Sequence, residues 1–169
     1  GFTVTTLQLA QAYTAFANRG LMLSPTILPR TKAIGVPVFK SSVIDQMVPM
    51  LESVTSDIGT APLARVDSYR IAGKTGTVER LVEGSYAKDS YISIFAGFAP
   101  ADDPDIVMVV VVHDPKGEDY FGGAVAAPVF SAVMKGALRL RNIRPAVAEQ
   151  LWVVTDEANL PEELGLHEF

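Results

Sequence analysis

The chain of 169 residues contains no cysteine and only two histidines, His113 and His167. A disulfide framework and a cysteine metal site are thereby excluded, and a histidine-built metal site has too few donors to draw on. The lack of cysteine does not fix a compartment. Long hydrophobic runs are missing as well: the longest is Ile106–Val112, far short of the roughly 20 apolar residues a membrane span requires. Positive charge is not in excess. The net charge is −5, and six acids (Glu149, Asp156, Glu157, Glu162, Glu163, Glu168) follow Arg144 with no Lys or Arg among them. Residues 1–144 are left with 14 basic and 13 acidic groups. The acidity belongs to the tail, 145–169, which reads as a solvated extension. Without a basic stripe, a nucleic-acid surface is not expected.

What is present is apolar. Hydrophobic residues make up 49%, enough to exclude disorder and to build one domain with a core. No signal-peptide pattern and no internal repeat is found. The chain does not open with Met and enters helical periodicity almost at once, which predicts a piece cut from a longer protein.

Leu7, Ala10, Tyr13 and Ala17, with Leu9 and Phe16, predict a helix over 5–18, capped by Thr3 or Thr5 and ended by a left-handed Gly20. Residues 24–39, with Pro25, Pro29, Gly35 and Pro37, read as extended segments and turns. Ser41 or Ser42 then caps a second helix, about 42–56, which Pro49 should kink. A short helical turn is expected between Ile58 and Ala64. Three strands follow, Tyr69–Arg80, Tyr91–Ala99 and Asp105–His113. The last holds the continuous valine run of a strand buried on both faces. Asp102-Asp103-Pro104 predicts an antiparallel hairpin between the second and third strands, and the residues around Gly84 and Ser85 can return the first onto the second. A final helix, Gly123–Asn142, should lay a stripe of Val125, Val129, Val133, Ala137 and Leu140 on the sheet.

The chemistry is concentrated in Gly73-Lys-Thr-Gly-Thr77. Side chains alternate along a strand, so Thr75 and Thr77 face one way and Lys74 and Gly76 the other. Two hydroxyls on one face can donate to the two oxygens of one carboxylate. Gly76 holds nothing away from the backbone, and an edge strand here can pair with an extended peptide. Lys74 adds positive potential and can polarise a neighbouring hydroxyl. Taken as a tripeptide, the same residues also fit a bulged strand flanked by surface side chains.

The flanks make the pattern specific. Ile71-Ala-Gly-Lys-Thr-Gly-Thr77, Tyr91-Ile-Ser-Ile-Phe-Ala-Gly-Phe-Ala-Pro100, the valine strand and Tyr120-Phe-Gly-Gly-Ala-Val-Ala-Ala-Pro-Val-Phe130 occur in this order, after Thr6-Leu-Gln-Leu-Ala-Gln-Ala-Tyr13. Over 1–144 the sequence resembles the C-terminal part of the transpeptidase domain of class B penicillin-binding proteins, in particular the septal type, in which Lys-Thr-Gly is the third active-site motif after S-x-x-K and S-x-N. The resemblance implies an α+β fold, a mostly antiparallel sheet covered by helices, to which this chain gives about three strands and the C-terminal helix. It implies a serine D-Ala-D-Ala transpeptidase that cross-links peptidoglycan stem peptides through an acyl-enzyme and is acylated by β-lactams, with no cofactor and no metal. By the resemblance, Lys74 and Thr77 are catalytic, the Thr77 amide serving as an oxyanion donor. Thr75, Gly76 and Thr77 hold the substrate or drug carboxylate, and Tyr91, Tyr120 and Phe121 form an aromatic wall. The implied partners are an upstream segment carrying the serine and, beyond it, a membrane anchor; stem peptides and β-lactams; and divisome proteins. The implied location is the periplasmic face of the inner membrane.

Three departures qualify this. The chain holds no S-x-N. Its one S-x-x-K, Ser85-Tyr-Ala-Lys88, follows the box instead of preceding it and is expected in a loop. Glu79 places an acid just past the box; it points away, pairs with Arg80, or weakens anionic ligands. His113-Asp114 is read as a strand terminus. A β-lactamase or β-lactam sensor of the same fold, and a non-enzymatic α/β interaction module, remain as alternatives.

Overall fold

Thr5 and Gln8 start the first helix by reciprocal bonds. In the computed structural model, which describes residues 3–29, 31–82 and 85–146 (backbone alone for 81, 82 and 85–89), Gln8 N–H donates to Thr5 Oγ1 and Thr5 N–H to Gln8 Oε1. This capping box satisfies two otherwise orphaned donors and opens α1, Thr6–Ala17. The left-handed residue directly after the cap residue Asn18 is Arg19, φ 51°, and Gly20 follows at φ 99°, so the turn comes one residue earlier than expected. Gly20 is still required, because a Cβ there would lie 2.1 Å from the Phe39 carbonyl oxygen.

The proline-rich stretch contains more than turns. Leu21–Leu23 (β1) and Gly35–Pro37 (β2) pair as a small antiparallel sheet. The second helix, α2, runs Ser41–Ser53 with Lys40 at the cap position and no side-chain cap bond, so neither Ser41 nor Ser42 caps it. It also stops short of 56. The hydroxyls of Ser53, Thr55 and Ser56 bond to the carbonyls of Met50, Glu52 and Ser53, competing with the helical ladder. A 3-10 turn at Pro62–Ala64 follows.

The main sheet has the order β3-β4-β5, antiparallel throughout: Ala72–Val82, Ser85–Ala99 and Ile106–His113. Both hairpins are as expected, but β4 begins six residues earlier. Ser85–Lys88 is strand, with an irregular register between Glu79 and Leu81 and resumed pairing at Leu81 with Tyr86. A strand cannot place Ser and Lys one helical turn apart. The valine strand is covered on both faces, Ile106, Met108 and Val110 packing on the α3 side and Val107 on the α1 and α2 side, but it is only half-buried from Ile106 to Val112, because among the described residues it is the outermost strand of its sheet.

Register assigns the faces. Thr75 pairs with Phe95, Thr77 with Ser93 and Glu79 with Tyr91, while Ala72 pairs with Phe98 and Lys74 with Ala96. Phe95 belongs to a core with Ile71, Ala126, Ala127, Phe130, Met134 and Leu138, the last five from α3, Gly122–Leu140. Phe98 and Ala72 belong to a second core with Leu51, Val48, Tyr13 and Phe16 from α2 and α1. The sheet is therefore sandwiched, with α3 on one side and α1 and α2 on the other.

The predicted stripe of α3 is the wrong one. Val129, Val133 and Leu140 are 44%, 53% and 86% exposed, while Ala126, Phe130, Met134 and Leu138 are buried. The helix is apolar nearly all round, so spacing could not choose a face; Phe130 and Met134 are the bulkier pair and take the sheet. By length and composition this helix could cross a membrane, but it is the cover of the sheet. The acidic tail from residue 147 onward lies outside the described residues; before it, Ala146 N–H is tied to the Ser68 carbonyl.

Candidate functional site

β3 carries Lys74-Thr75-Gly76-Thr77 on the outside of the sheet: β4 pairs one of its edges, and no described strand pairs the other. Lys74 and Thr77 are exposed, Thr75 and Gly76 half-buried. As alternation requires, Thr75 and Thr77 share the face turned to α3. Lys74 stems from the other face, yet its Nζ donates to Thr75 Oγ1 at 3.0 Å and to the Thr75 carbonyl at 3.2 Å. A long flexible side chain can reach around an edge strand in this way.

The start of α3 sits directly on this segment. Gly122 N–H donates to Thr77 Oγ1 at 3.1 Å. A Cβ on Gly122 would lie 2.3 Å from the Ile94 carbonyl oxygen and 2.6 Å from that of Gly76. Only glycine allows the helix to begin so close to the strand. The bond also orients Thr77. A backbone N–H can only donate, so the Thr77 oxygen accepts and its hydroxyl proton is left for another acceptor. The helix N-terminus behind it adds a partial positive charge.

Tyr91, Tyr120 and Phe121 come together. Tyr91 and Tyr120 stack with ring centroids 4.0 Å apart, and Tyr120 and Phe121 are 4.4 Å apart. Phe121, directly before Gly122-Gly123, is 56% exposed. Backbone carbonyls of the cluster are tied to its surroundings. Ser93, fully buried, donates its hydroxyl to the Tyr120 carbonyl, and Asp114 N–H donates to the Tyr91 carbonyl at 2.8 Å. Asp114 adopts φ 51° just after β5, so His113-Asp114 does end a strand. The Lys116 ammonium, bonded to Asp114, holds its carboxyl below the usual carboxylate range, with a smaller contribution from Arg80. Arg80 forms no ion pair with Glu79, which shares the Thr75–Thr77 face by register and is exposed.

Sequence reasoning missed Ser93 and Thr60. Ser93 had only a faint signal, a small polar side chain between Ile92 and Ile94, which says nothing of its partner. Thr60 had none: its hydroxyl lies 3.1 Å from that of Thr75, but only folding brings residues fifteen apart together.

Residues 1–135 match the family described as penicillin binding protein transpeptidase domain. The chain belongs to this family. Among curated relatives, it is 40% identical over 146 residues to the peptidoglycan D,D-transpeptidase FtsI of Escherichia coli K12, covering 86% of the chain and 25% of that protein. It is 36% identical over 183 residues to the stage V sporulation protein D of Bacillus subtilis, covering 98% of the chain and 28% of that protein. The apo transpeptidase domain of Burkholderia pseudomallei penicillin-binding protein 3 superposes with a TM-score of 0.79 at 39% identity, over 85% of this chain and 44% of that one. The chain thus spans about a quarter of the length of the curated relatives. The α+β fold of a transpeptidase domain, with its antiparallel sheet and three described helices, is as expected.

Proposed function

We propose that residues 1–144 form one wall of the active site of a peptidoglycan D,D-transpeptidase acting in septal wall synthesis, and that the nucleophilic serine is supplied by a segment preceding this chain in the same protein. The observation that carries the reading is the orientation of the hydroxyls: an exposed Thr77 whose oxygen is occupied by Gly122 N–H, beside Thr75 and Lys74, on the open edge of a strand. Such a pair presents protons and positive charge to a carboxylate, as the C-terminal D-Ala or a β-lactam would offer.

In this reaction the serine Oγ attacks the carbonyl of the penultimate D-Ala. The amide C–N bond breaks, the terminal D-Ala leaves as an amine after taking a proton, and an acyl ester remains. An amine from a second stem peptide displaces the ester and returns the serine hydroxyl. Thr75 and Thr77 hold the carboxylate, Gly76 lets the backbone approach, Lys74 supports proton movement, and the Thr77 amide is one oxyanion donor, a contribution worth roughly 2.7–4 kcal/mol of transition-state stabilisation. Tyr91, Tyr120 and Phe121 line the substrate side chain. Glu79, on the same face, disfavours additional negative charge. On this reading the whole protein acts at the periplasmic side of the inner membrane, in contact with other division proteins.

The test is acylation by a labelled penicillin. The chain joined to its preceding segment should be labelled; this chain alone should not, and labelling of it alone would overturn the reading. Replacing Thr75 and Thr77 by Val should abolish labelling without unfolding the protein. A non-enzymatic interaction module would show no labelling to lose, and rapid release of the label would point to a β-lactamase.

A further inference from the structure

We infer that Thr60 is a positioning residue that sets the direction of the Thr75 hydroxyl. The inference rests on the carboxylate-binding reading of the Lys-Thr-Gly strand and adds a residue that neither the motif nor its spacing contains. Thr75 Oγ1 has two bonding neighbours, Lys74 Nζ at 3.0 Å and Thr60 Oγ1 at 3.1 Å. A hydroxyl has one proton and two acceptor sites, and an ammonium can only donate. Lys74 therefore takes one acceptor site. Between the two threonines, either can be the donor. If Thr75 donates to Thr60, it has no proton left for an anion. If Thr60 donates, both acceptor sites of Thr75 are filled and its proton is directed to whatever acceptor lies in front.

A bound carboxylate accepts only. It therefore selects the second arrangement, in which two donors back the Thr75 oxygen and polarise its O–H bond. Thr77 needs no such selection, because its oxygen accepts from Gly122 N–H, which can only donate, and its own proton stays available. The two hydroxyls of the site are thus committed by different means: Thr77 by a fixed backbone donor, Thr75 by a side chain that can turn.

Thr60 is held well enough for the task. Ala61, fully buried, donates its N–H to the Val54 carbonyl, and Gly59 N–H donates to the Ser56 carbonyl. Arg65 ties the loop further through the Thr55 carbonyl and Asp57. On the other side the Thr60 carbonyl abuts α3, where a Cβ on Gly123 would lie 2.0 Å from its oxygen. The side chain itself is exposed, so its hydroxyl is free to rotate while its backbone is not.

The experiment uses the protein comprising this chain and its serine-bearing preceding segment, with Thr60→Val and Thr60→Ser variants. The probes are a penicillin with its free carboxylate and the same penicillin as the methyl ester. Thr60→Val should weaken the apparent affinity for the carboxylate form by roughly three- to tenfold, the range for losing one net hydrogen bond. The first-order acylation step and the melting temperature should be unchanged, and the ester should be affected by less than twofold. Thr60→Ser keeps the donor and should behave as the wild type. Equal losses with both probes, no loss in Thr60→Val, or a Thr60→Ser variant as weak as Thr60→Val would each overturn the inference. Failure of the unaltered protein to react with penicillin would overturn the transpeptidase reading and this inference with it, whereas normal reaction without a Thr60→Val penalty removes the inference alone.

Discussion

The two faces of β3 and β4 are built from the same strands but for different work. The face under α1 and α2 is apolar where it is buried: Ala72 and Phe98 meet Leu51, Val48, Tyr13 and Phe16. The face under α3 is divided along its length. Ile71 and Phe95 pack on Phe130, Met134 and Leu138 at one end, and Thr75, Ser93 and Thr77 bond to Thr60, Tyr120 and Gly122 at the other. Phe95 lies opposite Thr75 in the register, so the packing end passes directly into the polar end. The difference teaches how a site is held: α3 is fixed by its apolar side chains and delivers its N-terminus to Thr77, while α1 and α2 support the sheet without touching the hydroxyls.

The largest effects should come from the two phenylalanines that anchor these faces. Phe98 and Phe130 are both fully buried, and Phe130 meets Phe95 edge-on at 4.7 Å. Truncation of either to Ala should cost about 3–5 kcal/mol of stability, read by denaturant unfolding of the protein joined to its preceding segment. The comparison predicts that they part company in function. Below its melting temperature, Phe98→Ala should be acylated by penicillin at the normal rate, whereas Phe130→Ala should be slower because α3 no longer holds Gly122 against Thr77. Equal rates would break the distinction between the faces.

The division into faces could be read from the sequence at β3 and β4, where alternation put Thr75 and Thr77 together and the turn residues set both hairpins. It could not be read on α3. Val125, Val129 and Val133 repeat at helical spacing as regularly as Ala126, Phe130 and Met134, and only contact with Phe95 and Ile71 decides between them. The valine run of β5 is covered on both faces as its composition suggests, but only half-buried, because composition reports apolarity and not the position of a strand within its sheet. At the candidate site, the resemblance named the motif residues and the aromatic trio, and the structure brings each group together, but their supports could not be read from the sequence. Ser93, Thr60 and the Gly122 amide act through bonds spanning 27, 15 and 45 positions, and no local pattern encodes such distances.

A middle-sized effect should come from Ser93. It is fully buried and its hydroxyl meets the Tyr120 carbonyl, so Ser93→Ala leaves that carbonyl without its side-chain partner at a cost of about 1–3 kcal/mol. The loss is predicted on the polar end of the α3 face alone. Intrinsic tyrosine fluorescence should report a loosened Tyr91–Tyr120 stack, and penicillin acylation should slow. A stability loss with an unaltered stack and rate would show that Ser93 belongs to the packing end instead.

The smallest effect should come from the clasp at the far end of α3. Arg141 donates from Nε and a terminal nitrogen to the two carboxylate oxygens of Asp105, at 2.9 and 3.0 Å. The bond to Arg141 holds the Asp105 carboxyl below its ordinary value. A depressed folded-state pKa means that the unfolded chain binds the proton more readily. The stabilisation is therefore fully present above the unfolded value, about 3.9, and is lost as the pH falls through the folded one. Both groups are near solvent, so screening keeps the contribution small. Asp105→Asn should lower the melting temperature slightly at pH 7 and progressively less below pH 4, with acylation unchanged at both. A change in acylation would mean that the C-terminal end of α3 communicates with Thr77, and that the helix acts on the site through its whole length and not through the packing of Phe130.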